Sequence, residues 1–333
     1  MEFIGIGDLH LTDSAGKGGL SKYIKDHDQF VANLVIDQPL KYASKNGIQN
    51  IILYGDIFES PRGSYSGQKA LLKILRQNFE FHIILGNHDK FASDSNAGHS
   101  LELIQEYDLP NVHIYDQKTI VKFGSTHINF MPWPCTEFES KMLNVCHVDV
   151  AGAKSDSGRV YTDKNLSDSK AITVAGHIHT EQKIRNTYYS GTLYQTNFGE
   201  SSKKFFHKIE IDKAGIEIHN IPVKLVYELH SVEIDSVKDL KFIPSGENHL
   251  VKLILKPGCG VQAKDYAHLN VVRVRPVSSL KDLESARIED LSEGEAVRIS
   301  SDEFFKAWLR NSSAESSLKK HAYKLRKQLL EKA

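Results

Sequence analysis

Cysteine is scarce: the 333 residues hold three (Cys135, Cys146, Cys259), with no CxxC spacing. That argues against a disulfide framework or a structural zinc site and fits a reducing compartment. No apolar run approaches the roughly 18 residues that a membrane span requires. The opening Met1-Glu2-Phe3-Ile4-Gly5 lacks the basic and apolar regions of a secretory leader, so a cytoplasmic chain without membrane attachment is expected. Net charge is missing as well, with 42 Lys+Arg against 42 Asp+Glu. As a total, that balance argues against a polyanionic partner. A total conceals distribution, however. Residues 278–303 carry eight acidic and three basic side chains, whereas 304–333 carry eight Lys/Arg and two Glu. Internal repeats and low-complexity tracts are also absent. What remains is an ordinary globular composition, 40% hydrophobic and 25% charged, long enough for one large domain plus a smaller one or for two modest domains.

The first half alternates short apolar runs with helix-spaced stretches. Strands are predicted at Phe3–Ile6, Ile51–Tyr54 and Phe81–Leu85. Helices are predicted over Asp28–Asn46, with a kink or break at Pro39, and over Gln68–Gln77. Such alternation implies right-handed crossovers and a largely parallel sheet. From about Val112 to Ile221 short strands dominate, among them Ile128–Met131, Met142–Cys146 and Ile172–Ala175. Phe205–Ile211 and Ile216–Ile221 flank an Asp212–Gly215 turn as a hairpin. Two sheets packed face to face with helices outside are expected. Beyond Pro222, Val226–Ile234, Leu250–Leu255 and Val271–Val274 read as strands of a small separate unit. Ser300-x-x-Glu303 and Ser312-x-x-Glu315 match capping boxes in the tail. Phe304, Phe305, Trp308 and Leu309 give the first tail helix an apolar side, and Leu318, Ala322, Leu325 and Leu329 a narrow seam in the second. The hairpin either packs on its own domain or docks a partner helix pair.

Metal-ligand residues are concentrated directly after predicted strands: Asp8-Leu9-His10, Gly55-Asp56, Gly86-Asn87-His88-Asp89, Cys146-His147 and Gly176-His177-Ile178-His179. In open α/β sheets, ligands gather at the carboxyl ends of strands. Residues i and i+2 leaving a strand point the same way, so Asp8 can converge with His10 and His177 with His179. The glycines before Asp56, Asn87 and His177 allow backbone to approach an ion closely. Carboxylate, amide oxygen and imidazole without thiolate suit Mn²⁺, Fe²⁺ or Zn²⁺. Seven candidate ligands exceed what one ion takes. They suit two ions about 3.5–4 Å apart sharing a carboxylate, the arrangement used on phosphate esters. Asp56, isolated from other carboxylates, is the natural bridge.

The order D-x-H, G-D, G-N-H-D, H, G-H-x-H resembles that of the calcineurin-like metallophosphoesterases. Gly55–Ser60, His147–Ala153, Tyr189-Ser190-Gly191-Thr192 and Asn197-Phe198-Gly199-Glu200 further resemble SbcD-type DNA-repair nucleases and their phage and eukaryotic counterparts. The likeness is specific over about residues 1–205 and rests on layout beyond. It implies an α/β fold: a four-layer αββα sandwich (1–222), a small α/β capping domain that contacts DNA (223–277), an acidic linker (278–299) and a helical hairpin (300–333). It implies one ion held by Asp8, His10, Asp56 and His179, and another by Asp56, Asn87, His147 and His177. The ions would be Mn²⁺ first, with Mg²⁺, Fe²⁺ or Zn²⁺ as alternatives. His88 would protonate the leaving oxygen, with Asp89 orienting its ring, a role imidazole chemistry suits. Glu59 departs from the family, which has histidine or aspartate there, and reads as a loop-stabilising carboxylate. The implied activity is 3′–5′ double-strand exonuclease and single-strand endonuclease, in DNA recombination and repair.

Substrate contacts would come from local charge at the metal rim: Lys17, Lys22 and Lys25, then Arg62, Lys90, Lys183 with Arg185, and Lys203 with Lys204. The resemblance also implies a homodimer through the early helices and an SMC-like ABC ATPase of the SbcC type. That ATPase would be met by Phe304, Phe305, Trp308, Leu318, Leu325 and Leu329. Two rivals remain. A phosphomonoesterase or cyclic-nucleotide phosphodiesterase would keep the metal set but leave the small unit and basic tail without a role. A scaffold without catalysis would need a broken ligand set, and no metal-site or acid position is broken.

Overall fold

The computed structural model describes residues 1–12, 20–92, 98–155, 158–162 and 171–277. By internal contacts the chain divides into Met1–Gly294 and Glu295–Ala333, and the elements below belong to the first unit. Lys17, the acidic linker and the proposed hairpin with Phe304, Phe305, Trp308, Leu318, Leu325 and Leu329 lie outside the described residues.

Strands β1 (Glu2–Ile6), β2 (Asn50–Leu53), β3 (Glu80–Ile84) and β4 (Val112–Tyr115) pair in parallel. β5 (Thr119–Phe123), β6 (Thr126–Met131), β7 (Leu143–His147), β8 (Thr173–Gly176), β9 (Gln182–Ile184) and β10 (Thr187–Tyr189) form a second sheet in the order β5-β6-β7-β8-β10-β9. Its four central strands β6, β7, β8 and β10 are again parallel. The hairpin of β11 (Lys204–Ile211) and β12 (Ile216–Val223) returns to the first sheet, antiparallel beside β1, giving the order β12-β11-β1-β2-β3-β4. β13 (Glu228–Ile234), β14 (His249–Leu255) and β15 (Val271–Pro276) make a separate parallel sheet of three.

Period-two alternation explains the layering. Phe3, Ile52, Tyr54 and Ile84 face Ile128, Phe130, Val145 and Val174 in a dry core between the two large sheets. Ile4, Ile6, Ile51, Leu53 and Ile83 point the other way, under the helices. Those helices are α1 (His27–Val35), α2 (Lys41–Asn46), α3 (Tyr65–Leu75) and α4 (Glu102–Glu106). Helix α3 starts three residues before its apolar pattern because Ser64 caps it, accepting from the Gly67 N–H at 3.0 Å. Its Leu71, Ile74 and Leu75 are fully buried, each contributing about 1.5–3 kcal/mol.

Of the kink or break expected at Pro39, a break does not occur. Residues Ile36–Leu40 form a π-helical turn containing Pro39, and α1 runs through it into α2. The wider turn accommodates a residue that has no N–H to donate and whose ring crowds an ordinary turn. The α/β sandwich stands as expected on its inner three layers. Its fourth, helical layer is not found among the described residues, where Val148, Val150, Ala153 and Ile178 cover the end of the second sheet from loops.

Candidate metal centre

Both large sheets deliver their parallel strands to one rim. β1 is followed by Asp8 and His10, β2 by Asp56, β3 by Asn87 and His88, β7 ends on His147, and β8 is followed by His177 and His179. Two neighbouring clusters result. Asp8, His10 and His179 place one ligand atom each within 4.8 Å of one another, and so do Asp56, His147 and His177. Asn87 joins the second, its Oδ1 lying 3.1 Å from His147 Nε2 and 3.0 Å from His177 Nδ1. Asp56 touches both: Oδ2 is 3.2 Å from His147 Nε2 and 3.9 Å from His10 Nε2.

The loops are laced together by backbone. His10 N–H donates to the Asp56 carbonyl at 3.0 Å and Leu11 N–H to the Ile57 carbonyl at 2.9 Å. Amide groups aim the carboxylates, His88 N–H at Asp56 Oδ1 (2.8 Å) and His177 N–H at Asp8 Oδ2 (3.0 Å). The approach is close enough to require glycine twice. A Cβ on Gly86 would stand 2.0 Å from Asp56 Oδ1, and one on Gly176 would stand 2.4 Å from the Tyr54 carbonyl. His10, Asp56 and His177 hold positive φ values of 46°, 46° and 84°. Non-glycine residues in that region cost of order 1–3 kcal/mol each and concentrate at functional sites.

The donors fit a cation on tautomer grounds. His147 Nδ1 donates to the Tyr54 carbonyl at 2.7 Å. Its Nε2 in the neutral ring therefore offers a lone pair to two further acceptors, Asp56 Oδ2 and Asn87 Oδ1. His10 Nδ1 lies 2.9 Å from Glu59 Oε2 and His179 Nδ1 lies 3.3 Å from Glu200 Oε1. Their Nε2 atoms confront each other at 3.0 Å, and in the tautomer with each ring proton on Nδ1 both present lone pairs. Lone pairs facing lone pairs need positive charge between them.

The metal-free electrostatics carry the same message. Burial alone would lower His147, yet Asp56 outweighs it and pushes the ring up to about 9. Burial would raise Asp56, but His147, then His88 and His10, hold it well below the usual carboxylate range. Asp56 thus draws positive charge to His147, a demand that a bound ion would meet in place of a proton. His177, by contrast, is held down to about 3 by burial first and His147 second, so it remains a neutral donor.

Beside the clusters, His88 is turned so that Nδ1 donates to the Glu59 carbonyl at 2.9 Å, leaving Nε2 as the free nitrogen. Here the structure corrects the sequence reading of Asp89. Its carboxylate makes no bond to that ring. It is fully buried and accepts from Ile57 N (3.2 Å), Phe58 N (3.1 Å), Gly86 N (2.9 Å) and Ser100 Oγ (3.0 Å). Burial, then Asp56, pushes Asp89 up to about 6, against the pull of the backbone N–H groups. Asp89 braces the two loops, and the Glu59 carbonyl sets the His88 ring.

Two acids of the outer ring act on the ligating imidazoles: Glu59, expected only to stabilise its loop, and Glu200, for which the sequence suggested no individual role. Glu59 reaches past its own loop to His10. Glu200 accepts from Thr196 N (3.1 Å) and Asn197 Nδ2 (3.1 Å) and pairs with Lys204 while facing His179. No sequence signal distinguishes either from an ordinary surface acid, except that Glu200 closes a motif shared with the resembled nucleases. Carboxylates that fix a ligating imidazole are worth about 10–100-fold in metal affinity. Glu200→Gln should therefore weaken divalent-ion binding by about that factor, measured by equilibrium dialysis. Unchanged affinity would deny Glu200 this part.

Of the basic residues expected at the rim, Arg62, Lys183, Arg185, Lys22, Lys25 and Lys203 are exposed; Arg185, however, lies in the β9–β10 turn beside Thr173, at the end of β8 opposite the metal clusters. Lys183 Nζ lies over the Tyr188 ring at 4.5 Å. Lys90 is not on the rim: it is 3% exposed and directed at the Trp133 carbonyl. Lys204 is buried too, donating to Thr192 Oγ1 and the His179 carbonyl.

Residues 1–226 match the family described as calcineurin-like phosphoesterase. Exonuclease subunit 1 of Enterobacteria phage T4 is 27% identical over 225 residues, which is 61% of this chain and 62% of that protein. The match thus spans less than two thirds of the relative's length. Among solved structures, Vps29 with Zn²⁺ from Entamoeba histolytica aligns at 11% identity and a TM-score of 0.29, over 67% of this chain and 100% of that one. GAP50 of Plasmodium, titled the anchor in the inner membrane complex, aligns at 10% and 0.37, over 84% and 98%.

Proposed function

We propose that this chain, which belongs to the calcineurin-like phosphoesterase family, is a manganese-dependent DNA nuclease. In this reading it cuts phosphodiesters at a two-ion site. The observation that carries the reading is the pair of ligand clusters joined through Asp56, with imidazole lone pairs confronting acceptors. Bound divalent ions would polarise the phosphate ester and activate water near neutral pH. The chain's own residues would do the rest. Asp8, His10, Asp56 and His179 would hold one ion, and Asp56, Asn87, His147 and His177 the other. His88 would hand a proton from Nε2 to the departing oxygen. Asp56 and His88 sit on loops fastened by Asp89, so acid and ions would keep their spacing.

DNA as substrate is supported by the likeness to a phage exonuclease subunit. The word subunit in that relative's name supports a partner, for which an SbcC-type SMC-like ABC ATPase bound by residues 300–333 is the proposal. A homodimer is supported by exposed Tyr65, Phe91, Leu103 and Tyr107, which cluster around a cleft of about 580 Å³ beside α3 and α4. The separate sheet β13–β15 would serve as the DNA-contacting cap. Action inside the cell, in recombination and repair, follows from the same reading. No helix among the described residues is long and apolar enough to cross a membrane.

The test compares end-labelled duplex with a small aryl phosphate. Chelator-treated protein should be inert, and Mn²⁺ should restore release of nucleotides from the duplex, alone or with the ATPase and ATP. Turnover of the aryl phosphate alone would favour the phosphomonoesterase alternative and overturn the nuclease.

A further inference from the structure

A third group of ligand-type side chains lies away from the rim, on the small sheet. Glu228 and His230 are two residues apart on edge strand β13, so both project from one face. His249 opens β14 and is the register partner of Glu228, so it belongs to the same face. That face also carries Val232, Ile234, Val251 and Leu253, the core of the small sheet. The three polar residues occupy the end of the face where the strands begin and water reaches them: Glu228 is 41% and His230 21% exposed at the side chain.

His230 Nε2 lies 3.0 Å from His249 Nδ1 and 3.8 Å from Glu228 Oε2, and the three ligand atoms fall within 4.8 Å of one another. With bonds of about 2.0–2.2 Å to imidazole and carboxylate, a tetrahedral zinc ion holds its ligands roughly 3.3–3.5 Å apart. The observed spacings bracket that range. A single proton on His230 Nε2 can satisfy only one of the two acceptors before it, whereas one cation satisfies all three.

We propose that Glu228, His230 and His249 form a separate site for a divalent transition-metal ion, zinc by ligand class, with solvent completing its coordination. The site joins the first two strands of the small sheet. It also sits one residue either side of Leu229, whose N–H donates to Gln195 Oε1 at 2.9 Å and whose carbonyl accepts from Gln195 Nε2 at 3.2 Å. Gln195 belongs to the loop that carries Glu200. Nothing in this proposal depends on the activity assigned to the rim.

The experiment uses the full chain, stripped with chelator, dialysed against Zn²⁺ and counted by elemental analysis. H230Q/H249Q should hold one zinc per chain fewer than the unaltered protein, with an unchanged far-ultraviolet circular dichroism spectrum. E228Q, which preserves the shape of the site, should keep the fold and bind that zinc at least about 10-fold more weakly. Equal zinc counts in all three proteins would overturn the proposal. So would an E228Q affinity equal to that of the unaltered chain, even if the double variant fails to fold.

Discussion

Alanine in place of His88 should lower kcat on duplex DNA by about 10²–10⁴-fold, the contribution of a positioned general acid, while uptake of divalent ions stays intact. The separation follows from the geometry. The one hydrogen bond from His88 to Asp56 comes from its backbone N–H, which alanine retains. The ring's own anchor is the Glu59 carbonyl, so removing the ring takes away Nε2 together with an edge contact to the His10 ring and leaves every ligand's hydrogen bonds in place. The defect should shrink on a nitrophenyl ester of a nucleotide, whose leaving group departs without a proton. Full-speed degradation of duplex by His88→Ala, or an equal loss on both substrates, would remove His88 from the role of acid.

Asp89→Ala should act on stability first. Three buried N–H groups (Ile57, Phe58 and Gly86) would lose their acceptor at once. Each buried donor left unsatisfied costs about 1–3 kcal/mol, so the total is about 3 kcal/mol or more. For a domain of this size that corresponds to a fall in Tm of roughly 6–12 °C by thermal denaturation. Asp89→Asn keeps one acceptor oxygen and should fall between. A shift below about 2 °C for the alanine variant would show that the loops hold without this brace.

The rim was legible in the sequence because chemistry-bearing residue types are rare at strand ends, where Asp8, Asp56, Asn87 and His177 stand together in order. Strands β1 to β3 were equally plain from their apolar runs. What could not be read was direction. Asp89 adjoins His88 in sequence, yet its carboxylate turns toward two other loops, a choice made by tertiary amides that no local pattern encodes. Glu59 and Glu200 are acids among 42, and only the fold brings them to His10 and His179. Lys90 and Lys204 look like any rim lysine until their backbones are placed inside. At Pro39 the helix continues without a break for a related reason. The rule that proline breaks a helix assumes an ordinary turn, and here tertiary packing of Val35 and Leu40 holds the chain in a wider one.

The rim draws its ligands from both large sheets, from Asp8 near the start of the chain to His179. Ions seated there would add to the apolar core and the few hydrogen bonds that join the two layers, so they would act as a non-covalent cross-link. Loading would then raise the unfolding free energy by mass action, about 2.7 kcal/mol when free ion stands at 100 times its Kd. The metal supply of the cell would govern how long a folded copy survives proteolysis, as well as how fast it turns over.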